Sequence, residues 1–130
     1  LAAPQVHHSI RMFVTRISNQ PEEPGEKKIF INPRLFDPSS ATWKASEGCV
    51  SIPILRESVE RPKEISVEYT SLEGKRVQER LSGWEARAVM HENDHLNGVL
   101  FTDRLEKKEK LKIAYFLQHL EHRFKEGPLL

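Results

Sequence analysis

An α+β fold is the class this sequence predicts, and three observations predict it. Short β-forming runs fill the first two-thirds of the chain, two of them pair as an evident hairpin, and two helical stretches fill the last third. The 130 residues read as a single domain, 1–130, long enough to bury a core without staples. Apolar residues make up 38% and charged residues 30%, as in ordinary globular proteins, and a net charge of +1 argues neither for a nucleic-acid surface nor for an acidic partner. No apolar run approaches the roughly 20 residues that span a bilayer, and no signal peptide is visible. The chain opens on Leu rather than Met, so the natural start is expected to lie upstream.

In order along the chain, Leu1 to Gln5 reads as extended or loop, because Pro4 biases Ala3 away from helix. Ile10-Arg11-Met12-Phe13-Val14-Thr15-Arg16-Ile17 is rich in β-formers and predicts a strand. Pro21, Pro24 and Gly25 make residues 19–28 an exposed loop. Ile29-Phe30-Ile31 is a short strand ended by Asn32-Pro33, and Thr42-Trp43-Lys44-Ala45 another. Glu47-Gly48-Cys49-Val50-Ser51-Ile52-Pro53 reads as a strand whose backbone something approaches closely at the glycine. Glu64-Ile65-Ser66-Val67-Glu68-Tyr69-Thr70 alternates polar and apolar, and Leu72-Glu73-Gly74-Lys75 turns it back into Arg76-Val77-Gln78-Glu79-Arg80-Leu81, a hairpin.

Ser82 with Glu85 three residues on has capping-box spacing, and Asn97-Gly98 supplies a left-handed stop, so a helix runs between them. Val99-Leu100-Phe101 is a short buried link, with Asp103 placed to cap the next element. Apolar positions Ile113, Leu117, Leu120 and Phe124 recur at three and four, which makes 106–125 an amphipathic helix closed by Gly127-Pro128. Its lysines 107, 108, 110 and 112 read as a solvated face in preference to a nucleic-acid contact.

The chemistry sits in the first of those helices. His91 and His95 are four apart and project from one helical face, where two imidazoles can grip a single metal ion. Glu92 beside them suits a general base toward a metal-bound water. Cys49 is the only cysteine, which excludes an internal disulfide and makes it the candidate third ligand. Three protein ligands leave a tetrahedral position open, the coordination of catalytic sites. Asp94 is either a support for the ligands or a solvated charge. His119 and His122 read as surface residues, whereas His7 or His8, if either reached the metal, would close the site and make it structural.

Three separated stretches, Leu1-Ala2-Ala3-Pro4-Gln5, Glu47-Gly48-Cys49-Val50-Ser51 and His91-Glu92-Asn93-Asp94-His95-Leu96-Asn97-Gly98, resemble in order the signature motifs of peptide deformylases. The resemblance spans essentially the whole chain and implies removal of the N-formyl group from the initiator methionine of nascent proteins, giving formate. It implies that Cys49, His91 and His95 hold the metal, Glu92 is the acid/base, and Gln5 and the Val50 backbone N–H stabilise the oxyanion. Glu47, Gly48, Arg56 and Leu1 would serve substrate binding, Glu47 and Arg56 supporting the substrate-facing strand as a pair. Fe(II) is the cofactor implied, with Zn, Ni or Co as other divalent occupants. The partners implied are formyl-methionyl nascent peptides and the ribosome near its exit tunnel, with no DNA and no membrane. The compartment would be the bacterial cytoplasm, or a mitochondrion or plastid in a eukaryote.

Several positions depart from the family pattern. Its Gly-x-Gly and N-terminal helix would precede Leu1, Val50 stands where Leu is usual, and Met90 where Gln is usual. Two other readings use the same residues. One is a zinc metallopeptidase of the His-Glu-x-x-His type; the other is a non-catalytic metal-binding or formyl-peptide-binding module.

Overall fold

A computed structural model describes residues 1–49 and 52–111, together with Ala114 and Gln118, with residues 52–55 described through their backbone. Six strands lead into the helix: β1 (Met12–Ile17), β2 (Glu26–Phe36), β3 (Thr42–Cys49), β4 (Ile52–Pro62), β5 (Glu64–Thr70), β6 (Arg76–Ser82) and then α1 (Gly83–Leu96). Strands β1, β2, β5 and β6 form an antiparallel sheet in the order β1-β2-β5-β6, while β3 and β4 pair as a separate two-stranded sheet. The α+β reading holds.

The period-2 pattern of β5 sets the main core. Ile65, Val67 and Tyr69 share one face and are buried there with Phe13, Phe30 and Leu81. Phe30 stacks on Phe13 at 4.8 Å and meets Tyr69 at 4.5 Å between ring centroids. Helix α1 lays Ala86, Val89 and Met90 on this face. Burial of each large side chain contributes about 1.5–3 kcal/mol, which fixes the helix rotation and turns His91, Glu92 and His95 away from the core toward β3. The β5–β6 hairpin pairs Glu64 with Ser82 through Thr70 with Arg76, as its alternation predicts.

Elsewhere the chain departs from its local signals. Residues Ala3–Val6 form a 3₁₀ turn rather than an extended segment, with Pro4 in its first turn and Ala2 bridged to Phe13. Asn32-Pro33 does not end β2. Asn32 takes φ 48° and the register with β5 shifts between Ile31 and Arg34, so the proline sits in a bulge and the strand continues to Phe36. The expected strand over 47–53 is two strands, for β3 ends at Cys49 and β4 begins at its antiparallel partner Ile52.

Ser82 makes no side-chain cap. The start of α1 is satisfied instead by Asn19, whose Oδ1 accepts from the backbone N–H of Trp84 at 2.8 Å. The C-terminal stop is as expected: Gly98 has φ 73° and its N–H donates to the His95 carbonyl. Asp103 closes its own 3₁₀ turn (Phe101–Arg104) by accepting from the Leu100 N–H at 2.9 Å. Helical backbone resumes at residues 107–111, with Lys107, Lys108 and Lys110 exposed; the rest of the expected 106–125 helix, with Lys112, His119 and His122, lies outside the described residues apart from Ala114 and Gln118.

Candidate metal centre

Three elements converge on one point. Helix α1 supplies His91 and His95, the end of β3 supplies Cys49, and the 3₁₀ turn supplies Gln5. The Nε2 atoms of His91 and His95 lie 3.3 Å apart, and Cys49 Sγ lies 3.2 Å from His95 Nε2. All three donor atoms fall within 4.8 Å of one another, the spacing of ligands sharing one cation. His7 and His8 are exposed and, among the described residues, neither joins this group. A soft thiolate and two imidazoles suit a divalent first-row transition metal. Gln5 donates from Nε2 to Cys49 Sγ at 3.1 Å, while its Oε1 accepts from the Ala2 N–H at 2.8 Å, so its amide is oriented from both ends.

Glu92 stands at the mouth of the group. Its Oε1 is 3.2 Å from the Leu1 nitrogen, and its Oε2 is buried without a hydrogen-bond partner among the described residues. A buried carboxylate oxygen without a donor, beside three converging ligand atoms, fits a site completed by a cation and a protic reactant.

Behind the ligands lies a charge network whose Glu47, Arg61, Arg87 and Asp94 are nearly sealed from solvent, with Arg104 exposed at its edge. Glu47 is 5% exposed, and its Oε1 lies 2.8 Å from His91 Nδ1. Arg61 donates to both Glu47 oxygens, at 2.6 and 2.8 Å, and to Asp94 Oδ2 at 3.0 Å. Arg87 donates to Glu47 as well, and to the carbonyls of Val59 and Trp43. Arg104 grips Asp94 through two bonds of 2.6 and 2.7 Å. Asp94 is therefore a buried support and not a solvated charge.

Burial pushes the Glu47 carboxyl up, but hydrogen bonds from His91, Arg61 and Arg87 and the Arg61 charge outweigh it and bring the pKa down to about 2. A carboxylate that stays ionised can only accept, so His91 Nδ1 is the donor and its Nε2 lone pair faces the centre. Burial pulls His91 down, yet Glu47 holds it above the ordinary imidazole value; His95 is lowered by burial.

The sequence reading missed Arg61, Arg87 and Asn19, whose partners lie 14 to 66 residues away. The only sequence signal of Arg61 and Arg87 is a basic side chain on a strand or helix otherwise headed for burial, and Asn19, a loop residue, carries none. Glu47 and Arg56 were expected as a pair and are not one. Glu47 turns inward to Arg61 and Arg87, while Arg56 donates to the Ser46 hydroxyl at 3.3 Å. Gly48 pairs with Arg56 across the β3–β4 ladder, and Leu1 is half-exposed beside Glu92. Val50 lies outside the described residues.

Known proteins resemble this chain in sequence and in fold. The family profile described as polypeptide deformylase matches residues 1–111. A peptide deformylase of Pseudothermotoga lettingae is 41% identical over 113 residues, covering 87% of this chain and 62% of that protein. One of Thermotoga neapolitana is 42% identical over 111 residues, covering 85% and 64%. The chain thus spans a little under two-thirds of the length of these curated relatives. Among solved structures, Arabidopsis thaliana peptide deformylase 1B superposes with a TM-score of 0.88 at 33% identity, covering 97% of this chain and 69% of that one. Plasmodium falciparum peptide deformylase, solved with an inhibitor, gives 0.82 at 36% identity, covering 94% and 72%.

Proposed function

Because the chain belongs to the polypeptide deformylase family, we propose that it hydrolyses the formyl group from the N-terminal methionine of nascent polypeptides and releases formate. The observation that carries this reading is the buried Oε2 of Glu92, without a hydrogen-bond partner among the described residues, beside the converging Cys49, His91 and His95. Those three side chains would hold one divalent metal, Fe(II) first and Zn, Ni or Co as substitutes. When bound, such a cation polarises a carbonyl and makes water nucleophilic at neutral pH.

The remaining work falls to this chain's own groups. Glu92 takes a proton from the attacking water and delivers it to the peptide nitrogen as the C–N bond to the formyl carbon breaks. The Gln5 amide, oriented by the Ala2 N–H, donates to the formyl oxygen as negative charge develops there. The Val50 backbone N–H is assigned as the second donor. The peptide chain is bound along the Gly48 edge of β3, with Leu1 and Arg56 flanking it and Glu47 acting from behind through His91. The substrate class implies work on nascent chains near the ribosomal exit, and the bacterial relatives imply the cytoplasm. Among the described residues no helix is long and apolar enough to cross a membrane.

The test is formate release from a formyl-methionyl tripeptide, with protein loaded anaerobically with iron or nickel. Glu92→Ala is expected to lower turnover by about 10²–10⁴-fold while metal content stays the same. Cleavage of an internal peptide bond instead of formate release would favour the metallopeptidase, and bound metal with neither product would favour a binding module.

A further inference from the structure

The segment that follows α1 folds back on the helix. The chain leaves α1 through the Gly98 stop, and the Val99 N–H donates to the Asp94 carbonyl at 2.8 Å. The 3₁₀ turn then brings two side chains against the back of the metal centre. Phe101 is 1% exposed and lies nearly parallel to the His91 ring, at 6.2 Å between centroids and 22° between planes. Arg104 reaches Asp94 from outside, its Nε and Nη2 donating to the two carboxylate oxygens.

Asp94 stands in the last turn of α1, where the helix dipole disfavours a negative charge, and its side chain is 7% exposed. A buried carboxylate in that position needs cations, and Arg61 and Arg104 supply them. Arg61 is shared. Its Nε and Nη2 hold Glu47 while its Nη1 holds Asp94, so both acids together set the plane of the guanidinium. Glu47 Oε1 accepts in turn from Arg61 Nη2 and from His91 Nδ1. Arg104, Asp94, Arg61, Glu47 and His91 thus form one chain of contacts of 2.6–3.0 Å. Arg104 is 46% exposed, whereas the side chains of the other four are 3–11% exposed. Without its fork, Asp94 would depend on Arg61 alone, and the shared guanidinium would turn toward Asp94 and away from Glu47. Glu47 would then lose the donor that fixes the oxygen facing His91.

We propose that Arg104 is a positioning residue for the metal ligand His91, acting through Asp94, Arg61 and Glu47. Among the described residues it neither bonds to a ligand side chain nor lines the cleft beside the metal centre. The inference rests on the metal centre of the deformylase reading and adds to it an outer anchor, placed on the turn after α1.

The experiment reads Co(II) affinity by competition with a chelating dye, in a cycle of Arg104→Gln, Glu47→Gln and the double variant. Outer partners of a ligating imidazole are worth about 10–100-fold in metal affinity. Arg104→Gln is expected to weaken Co(II) binding about tenfold. The double variant should fall no more than about threefold below Glu47→Gln alone, because both substitutions break the same chain. Arg104→Lys keeps the charge without the fork and should lose about threefold. Arg34→Gln is the control. It removes a similar fork, held on Glu68 at 2.9 and 3.3 Å on the outer face of the sheet, and should leave Co(II) affinity unchanged.

Wild-type affinity in Arg104→Gln would overturn the proposal. So would a double variant about tenfold below Glu47→Gln, since additive losses mean that Arg104 acts apart from Glu47. An equal loss in Arg34→Gln would overturn it too, as an effect of net charge alone. If Arg104→Gln does not fold, Arg104→Lys is carried through the same cycle and judged by the same outcomes. Co(II) binding without formate release would sink the deformylase reading and leave this test standing. A wild type that binds no Co(II) would sink the metal centre and the proposal together.

Discussion

At the scale of single residues, the site divides into what the chain order displays and what it hides. The His-Glu-x-x-His spacing is legible because helix periodicity alone puts both imidazoles on one face, and the structure brings their Nε2 atoms to 3.3 Å. Glu47 was legible as a neighbour of Cys49 but not as the acceptor for His91, since that bond spans 44 residues and depends on how β3 packs against α1. Fixing an imidazole through its second nitrogen is worth about 10–100-fold in metal affinity. Glu47→Gln should therefore weaken metal binding by about that factor in competition with a chelating dye. Fe(II) and Zn(II) should be affected in the same direction, because the lost interaction lies on the protein side.

Elements were readable where one local signal had no rival. The β5–β6 hairpin is set by alternation plus Gly74, and the stop of α1 by Asn97-Gly98. Readings failed where a distant group outcompeted the local one. Ser82 has the right spacing for a capping box, yet Asn19 takes the N–H groups it would have served. Pro33 marks a strand end by the usual reasoning, yet a bulge absorbs it. The sheet itself depends on Phe30, fully buried between Phe13 and Tyr69. Phe30→Ala should cost about 3–5 kcal/mol, read as a fall in denaturant midpoint with an unchanged slope.

For the whole molecule, the buried charges tie stability to acid. The Glu47 carboxyl titrates at about 2 in the folded state against an ordinary 4.5, so the unfolded chain binds its proton first as pH drops. Its contribution is complete above about 4.5 and is lost as pH falls through the folded value of about 2. Chemical denaturation of the chelated protein should show stability declining across that window, and Glu47→Gln should flatten the decline. A flat wild-type profile from pH 5 to 2 would remove Glu47 from the account.

The hairpin of β3 and β4 has one further consequence. It is a sheet of only two strands, a form that is marginal by itself in water, and among its links to the rest of the molecule are Arg61 to Asp94, Glu47 to His91 and Arg87, and Cys49 to His95. Cys49 and His91 are 42 positions apart, so a cation held by both acts as a rivet that closes a long loop of chain. Such a rivet restricts the unravelled chain more than the native one. Stripping it should let the hairpin breathe first: amide exchange in β3 and β4 should accelerate before that of Phe30 or Val67. Uniform acceleration across both sheets would mean that the charge network alone already binds the two halves into one cooperative unit.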